Sequence, residues 1–442
     1  MANFKIKKGV DLSLKGAVSG SAAADVAKPQ TYAVVPDDYT GIIPRLDVKE
    51  GAKVLAGDAL FHDKDHPEIN VTSPVAGTVA AIVRGERRKI LAIVINPDQA
   101  NEPKKWDTSG ADAKQLMLQS GLWACLRQRP YDIVPSPDVK PRDIFVTAFD
   151  SAPLAPDLSM LILGKEKQVQ AGLDTLAKLT DGKVYVGCRP DQEFRAKGCA
   201  VNTFDGPHPA GNVGVQINHV KPVNKGEVVW TLDIVTVARI GELVTTGTVP
   251  YGTIVAVAGE SVTEPKFVKA TMGCDIKSLI GGNTTGGDNI RIISGNPLTG
   301  AKVEADGYLR YPYRQVTIIP EIKDEAEFMG WASLSTKKFS LRHSFTHWLV
   351  PGKKAASFDA KINGGERAII MSDEYSKVFP MDIYPEFLIK AVIAFDIDKM
   401  ERLGIYEVAP EDFALCEFAD TSKLELQKIV REGLDKLRKE MN

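Results

Sequence analysis

Six histidines and five cysteines are the residues of this 442-residue chain best suited to ligation or acid–base work, and their spacing decides what they could do. His62, Asp63, Asp65 and His66 crowd into one turn. Imidazole and carboxylate are metal-ligand types, but a solvated turn collects the same residues because they tolerate turn backbones. A structural zinc site also needs four fixed ligands with supporting partners, so the turn reading is preferred. His343 and His347 stand four apart in LRHSFTHWL and on a helix would share a face. Ser344 occupies the place of the metalloprotease glutamate, which favours packing or capping roles. The stretch Gly281 to Gly287 (GGNTTGG) lacks the P-loop lysine and the GxGxxG spacing, and reads as a loop. More informative is Phe204 to Gly214, FDGPHPAGNVG, where Gly206, Pro207, Pro209 and Gly211 surround His208. Proline and glycine at this density fix a rigid irregular path, expected to be exposed. Its alternatives are a surface turn and a mounted site. The cysteines (Cys125, Cys188, Cys199, Cys274, Cys416) include no CxxC pair, so neither a local cluster motif nor a disulfide framework is expected.

Composition sets the frame for these residues. A chain of this length splits into about three or four domains. The formal net charge of −2 gives no broad basic field, which disfavours nucleic acid as a partner. The first residues lack the apolar core of a secretory signal. No stretch reaches the ~20 apolar residues of a membrane helix; the closest, Phe387 to Ile397, contains Lys390 and Asp396. Contact with a membrane is therefore expected to run through partners.

The elements follow from periodicity. Between Tyr32 and Pro97, short Val/Ile/Ala runs alternate with Gly-Asp and Pro-Val-Ala-Gly turns, predicting a compact β domain. Two half-motifs, beginning at Val48 and Val71, each end a strand at a glycine. The pattern resembles the barrel-sandwich fold of biotinyl and lipoyl carriers. Aligning Gly57-Asp58 with the carrier pattern puts Pro67 where the modified lysine belongs, with Lys64 out of register, so the fold is expected without the carrier function. From Trp106 to Gly247, a strand at 142–147, a helix carrying Val169, Leu173 and Leu176, and a strand at 183–187 predict a Rossmann-like unit. Strand-like runs at 254–259 and 290–295 flank a short helix at 275–280, suiting a β-grasp module. The remainder is expected to be mostly helical. It ends in a helix capped by a Ser422–Glu425 box, with an apolar stripe through Leu426, Val430, Gly433, Leu434, Leu437 and Met441. The fold class is thus mixed α+β and α/β: a barrel-sandwich domain (1–100), a Rossmann-like domain (101–248), a β-grasp domain (249–325) and a helical domain (326–442).

Several long phrases then converge on one family. KIKKGVDL (Lys5 to Leu12), FDGPHPAG (Phe204 to Gly211), FSLRHSFTHWL (Phe339 to Leu349), FPMDIYP (Phe379 to Pro385) and LGIYEVAPEDFALCEF (Leu403 to Phe418) resemble the A-subunit family of sodium-translocating NADH:quinone oxidoreductases. The likeness spans essentially the whole chain. It implies a peripheral subunit on the cytoplasmic side of a bacterial inner membrane, with other subunits of the complex, membrane subunits included, as partners. That complex uses NADH, flavins, iron–sulfur centres and ubiquinone or menaquinone, and exports Na+.

This family is itself similar to the C subunit of Rnf complexes and to the flavin subunit of complex I. Those relatives hold FMN on a glycine-rich loop followed by an acidic phrase. Here the loop reads SGLWACLRQRP (Ser120 to Pro130) and the phrase reads AFDSAPL (Ala148 to Leu154). Backbone approach to a phosphate needs glycine, and only Cys416 remains where relatives hold a cluster. No cofactor is therefore expected on this chain. The alternative is a self-contained FMN- and NADH-binding subunit of the Rnf or complex I type. The resemblance implies a role in or near quinone reduction; the candidate quinone or partner contact is the rigid loop Gly206, Pro207, His208, Pro209 and Gly211, with His219, the other histidine of the Rossmann-like domain. A neutral histidine titrating near neutrality can donate a hydrogen bond to a quinone carbonyl; the other reading is a rigid docking loop.

Overall fold

Runs of β-branched and aromatic residues build three sheet systems, and a computed structural model describes residues 2–20, 23–25, 29–110, 112–321, 335–351 and 355–441. In the barrel-sandwich region, Tyr32–Val34, Ile90–Pro97, Gly77–Arg84 and Lys53–Val54 form one sheet. Pro44–Leu46, Ala59–Asp63 and Asn70–Thr72 form the second. Leu60, Phe61, Ile93 and Ile95 are fully buried between them.

The Rossmann-like sheet has the order Ala2–Lys5, Ala200–Asp205, Val184–Cys188, Asp143–Thr147, Val229–Asp233, Arg127–Arg129. Every pairing is parallel except the last. The expected strands and the helix Glu166–Ala177 are in place, with Val169, Leu173 and Leu176 buried. Glycine permits that helix to pack closely on helix Ile234–Thr246. A Cβ on Gly172 would lie 2.1 Å from Val237 O, and one on Gly241 1.7 Å from Gln168 O.

The third sheet runs Ala301–Val303, Ile290–Ser294, Gln315–Pro320, Gly252–Ala258, Lys266–Thr271, Ala23–Asp25. The hairpin, the short helix Ile276–Ile280 and the parallel pairing of Gly252–Ala258 with Gln315–Pro320 give the arrangement sought for a β-grasp.

The described strands before Tyr32 pair outside the barrel. Ala2–Lys5 is an edge strand of the Rossmann-like sheet, Leu14 bridges to Ala356, and Ala23–Asp25 completes the third sheet. Burying this leader requires partners distant in sequence, which local patterning cannot reveal. The expected edge between the third and fourth domains, near 325, lies outside the described residues.

Three expectations for the C-terminal region change. The described part of 335–374 is irregular apart from the short 3-10 turn Thr346–Leu349, and α-helices begin at Tyr375–Val378. LRHSFTHWL is therefore not a helix: His343 has a left-handed φ of 57° and stacks on Trp348, while His347 lies in the 3-10 turn. The final helix, Leu426–Met441, starts after the proposed capping box. Ser422 Oγ instead donates to Ala368 O at 3.0 Å, and Glu417 accepts the first-turn N–H of Gln427 at 2.9 Å. The stripe Leu426, Val430, Leu434 and Leu437 is wholly buried within its own core, so it is not a free docking face; Met441 is exposed.

Candidate functional site

A parallel sheet presents its ligand crevice at the carboxyl ends of strands where the chain's direction of winding reverses. Strand Asp143–Thr147 meets that condition. Val184–Cys188 pairs on one side of it and Val229–Asp233 on the other, with Thr147 opposite Asp233. A crevice of about 220 Å³ opens there, bounded by Phe149, Asp150 and His208 from the sheet side, Asn296, Tyr313 and Arg314 beside the third sheet's strands, and Glu411.

Helix Ile234–Thr246 begins at this crevice, and a helix N-terminus is a ready anion site. The chain fills it with its own carboxylate. Asp233 accepts the Thr236 N–H at 2.9 Å, and Arg314 Nη2 donates to both Asp233 oxygens at 3.0 and 3.1 Å. Burial works to raise the Asp233 pKa, but Arg314 and the helix cap hold it below the usual carboxylate range.

The loop predicted to be exposed is instead an internal clamp. His208 is 3% exposed, and Pro209, Ala210 and Gly211 are buried. The His208 N–H donates to Asp11 Oδ1 (2.9 Å), and His208 O accepts from Val10 N (2.8 Å). This close approach depends on Gly9, with φ of 126°, where a Cβ would stand 2.2 Å from His208 O. Gly206, with φ of 147°, allows the same crowding against Ile6 O at 2.3 Å. Pro207 O and Pro209 O accept from Ala210 N and Asn212 N, closing successive turns. The Ser151 hydroxyl accepts the Gly211 N–H at 2.8 Å and hydrogen-bonds His208 Nδ1 at 3.0 Å. Burial depresses the His208 pKa from 6.5 to about 4, against a weaker opposing pull from Asp11. The ring is therefore neutral at pH 7 and does not titrate near neutrality. His219 lies elsewhere: its Nδ1 meets Val215 O at 2.9 Å, and its ring sits edge-on to Phe4. Of the two histidines, only His208 borders the crevice.

Sequence reasoning missed the electrostatic centre of this region. Arg129 is 1% exposed and Asp412 4%. Arg129 Nη1 donates to Asp412 Oδ2 at 2.8 Å and Glu407 O at 3.2 Å, while Nη2 donates to Glu411 Oε1 at 3.2 Å. Burial pulls the guanidinium pKa down, but the carboxylates of Asp412, Asp132 and Glu411 outweigh it and raise the pKa above the usual arginine value. Asp412 also accepts the Ala409 N–H at 2.8 Å. It presses on the first turn of helix Val213–Val220, where a Cβ on Gly214 would meet Asp412 Oδ1 at 2.4 Å. Neighbouring Glu407 is pushed up to about 7 by burial, opposed by a hydrogen bond from Asn218. The available signals were the Arg-rich text of 127–129 and the acidic PEDF, but nothing local connects them.

The other candidates separate in space. His62 Nδ1 pairs with Asp47 at 2.8 Å, and Asp63 turns inward to accept the Ile43 N–H at 2.8 Å, so the tip residues do not converge on one point. All five cysteines are free thiols; Cys416 is buried, and desolvation raises its pKa well above the ordinary value. Among the described residues no group of three or more His, Cys, Asp or Glu could hold a metal ion.

Barrel-sandwich, parallel α/β and β-grasp-like sheets, with a helical region beside the crevice, define a multi-domain protein of mixed α/β class. Sequence comparison makes the class specific. Residues 4–98 match the family described as NqrA N-terminal barrel-sandwich hybrid domain, 108–249 the NqrA second alpha/beta domain, and 254–305 the NQRA C-terminal domain. The A subunit of the Na(+)-translocating NADH-quinone reductase from Saccharophagus degradans is 37% identical, aligned over 99% of this chain and 100% of its own length. Its counterpart from Serratia proteamaculans is 37% identical over the same shares, and one from Neisseria meningitidis 34%. The chain belongs to this NqrA family of A subunits. Among solved structures, an NAD+-reducing [NiFe]-hydrogenase in the air-oxidized state is a distant likeness, 12% identical with a TM-score of 0.32, covering 67% of this chain and 56% of that one.

The buried neutral histidine makes a pH prediction. Below pH 6.5 the unfolded chain binds a proton that native His208 refuses until about pH 4, so this residue makes stability fall as pH drops through that window. His208→Asn removes the effect. In urea titrations the stability difference between native chain and variant should shrink by up to about 3 kcal/mol between pH 7 and pH 4. A pH-independent difference would contradict the buried neutral ring.

Proposed function

We propose that this chain is the peripheral A subunit of a membrane-bound complex that oxidises NADH, reduces ubiquinone or menaquinone and exports Na+, and that it works on the cytoplasmic side without a flavin or iron–sulfur cluster of its own. End-to-end similarity to proteins carrying that name supports the role in the complex. No described helix is long and apolar enough to cross a membrane, and the proposal places membrane attachment in the partner subunits. The domain division at 100, 248 and 325 belongs to the same proposal, with Ala2–Lys5 and Ala23–Asp25 lending strands, and Ile6, Leu12 and Leu14 core, to the other units.

The observation that carries the cofactor-free reading is the replacement of a glycine loop by Trp123 and Arg129, both fully buried. Trp123 donates its indole N–H to Pro135 O at 2.8 Å and packs edge-on against Trp230. Arg129 is closed by Asp412 and Glu411. Neither leaves the backbone open for a flavin phosphate to approach. The same features weigh against the self-contained flavoenzyme. The quinone contact is assigned to the crevice edge at His208. A neutral ring there donates a hydrogen bond without carrying charge, and Gly206, Pro207, Pro209 and Gly211 fix its position; His219 takes no part.

Two measurements test this reading. The purified chain, incubated with excess FMN and desalted, should show no visible flavin absorbance; a stoichiometric flavin band would overturn the cofactor-free claim. In the assembled complex, His208→Asn should lower quinone reduction about tenfold, the worth of one hydrogen bond at roughly 1.4 kcal/mol. NADH oxidation with an artificial acceptor should persist. Unchanged quinone turnover in a fully assembled variant would remove His208 from the quinone step.

A further inference from the structure

A pocket of about 320 Å³ opens in the C-terminal region between three chain segments, 339–345, 363–367 and 418–423. Phe339 of the first stacks on Phe418 of the third with ring centroids 6.4 Å apart, and Ser340 Oγ accepts the Phe345 N–H at 3.1 Å. The second and third segments are latched together. Arg367 N donates to Ser422 O at 2.9 Å, and Ser422 Oγ donates to Ala368 O at 3.0 Å. Lys423, with a left-handed φ of 59°, packs over Gly364, where a Cβ would stand 3.3 Å from Lys423 Cε.

Each segment brings one cation to this pocket: Arg342, Arg367 and Lys423. Arg342 faces the Glu374 carboxylate at 3.5 Å, but Glu374 is shared with Lys377 at 2.8 Å. Arg367 and Lys423 have no ion-pair partner among the described residues. The lining carboxylate, Asp420, is buried and accepts the main-chain N–H groups of Ser422 at 3.0 Å and Leu424 at 2.8 Å. Burial lowers the Lys423 pKa, Asp420 opposes this, and the positive charges of Arg342 and Arg367 lower it further. The three cations thus stand close enough to repel one another. Asn363 and Thr421 line the same pocket, and each keeps a buried side-chain oxygen with no hydrogen-bond partner among the described residues.

Two guanidinium groups, an ammonium and an unused hydroxyl around one space match a phosphate group, whose oxygens accept from several donors at once. The rim adds a second requirement. Ile362, next to Asn363, is 73% exposed, and Trp348 and Leu349 are more than half exposed. Trp348 stacks on His343, the neighbour of Arg342, with ring centroids 5.0 Å apart. Exposed tryptophan and aliphatic side chains beside basic ones are what an interfacial surface presents to lipid. The whole chain carries a formal charge of −2, so attraction to an anionic surface is local to this face. We propose that the pocket seats the phosphate of an anionic phospholipid with a hydroxylated headgroup, phosphatidylglycerol being the simplest. Arg342, Arg367, Lys423 and the Thr421 hydroxyl donate to the phosphate, and Asn363 Oδ1 accepts from a headgroup hydroxyl. Ile362, Trp348 and Leu349 meet the glycerol and upper acyl region. The site goes beyond the role proposed for the chain in its complex and needs neither the crevice at His208 nor the quinone assignment.

The test uses the full chain in vesicle flotation, and in calorimetry with short-chain lipid below its micelle concentration. The chain should float with phosphatidylcholine vesicles that contain phosphatidylglycerol, and not with phosphatidylcholine alone. Arg367→Gln and Lys423→Gln should each weaken vesicle binding about fivefold, the worth of one basic group near an anionic surface. Lys64→Gln, at an exposed lysine of the barrel domain, removes the same charge and should change nothing. Dihexanoylphosphatidylglycerol should bind at least tenfold more tightly than inorganic phosphate. Equal affinity for the two would make this a free-phosphate site and overturn the lipid assignment. No flotation, equal flotation with and without phosphatidylglycerol, or an equal loss from Lys64→Gln would overturn the pocket itself. Should a pocket variant fail to fold, the comparison of short-chain lipid with inorganic phosphate on the native chain decides alone.

Discussion

A buried ion pair, Arg129 with Asp412, joins the C-terminal region to the parallel sheet within the apolar core the two share, and the character of the crevice depends on it. Both side chains are essentially out of water, at 1% and 0% exposure. A lone charge in either position would carry a desolvation penalty of several kcal/mol, whereas the pair with its added hydrogen bonds is tolerated. Arg129 lies in the segment Ser120–Pro130, and Asp412 comes from the PEDF turn 283 residues later. Their meeting brings Glu411 to the rim of the crevice and Asp412 onto the first turn of helix Val213–Val220, which tolerates this only because Gly214 has no Cβ.

The crevice lies at the carboxyl ends of the parallel strands, and the anion-binding helix starts beside it are occupied by the chain's own carboxylates. Asp233 sits at the start of one helix and Asp412 against the start of another. Arg314 and Arg129 neutralise them. A phosphate arriving here would have to displace a carboxylate already bonded to a helix N–H or an arginine. The charged groups at the two helix starts beside the crevice are thus satisfied by the chain itself.

Much of this architecture is legible in the sequence because it is local. The strands at 143–147 and 184–188, the helix Glu166–Ala177 and the short helix Ile276–Ile280 follow from periodicity and a turn residue at each end. What failed to show was non-local. The leading segment forms its strands with residues some 200 and 244 positions away, at Ala2↔Asn202 and Phe267↔Ala23. The loop around His208 reads as exposed because prolines and glycines favour surface turns, yet here glycine serves close packing against Ile6 and His208 itself. Ser422 and Glu425 have capping-box spacing, but Ala368 O offers the serine a tertiary partner and the helix starts later. The sequence named both His208 and His219; only His208 borders the crevice, and nothing local reveals that burial removes its charge.

A double-mutant cycle on Arg129→Met, Asp412→Leu and the pair, read by urea unfolding of the full chain, tests the central claim most directly. Each single change should cost about 3–5 kcal/mol by leaving the partner charge buried and alone, and the double variant should regain most of that loss. Additive costs, with a coupling energy below about 0.5 kcal/mol, would contradict Arg129 and Asp412 as a mutually dependent buried pair joining the C-terminal region to the sheet.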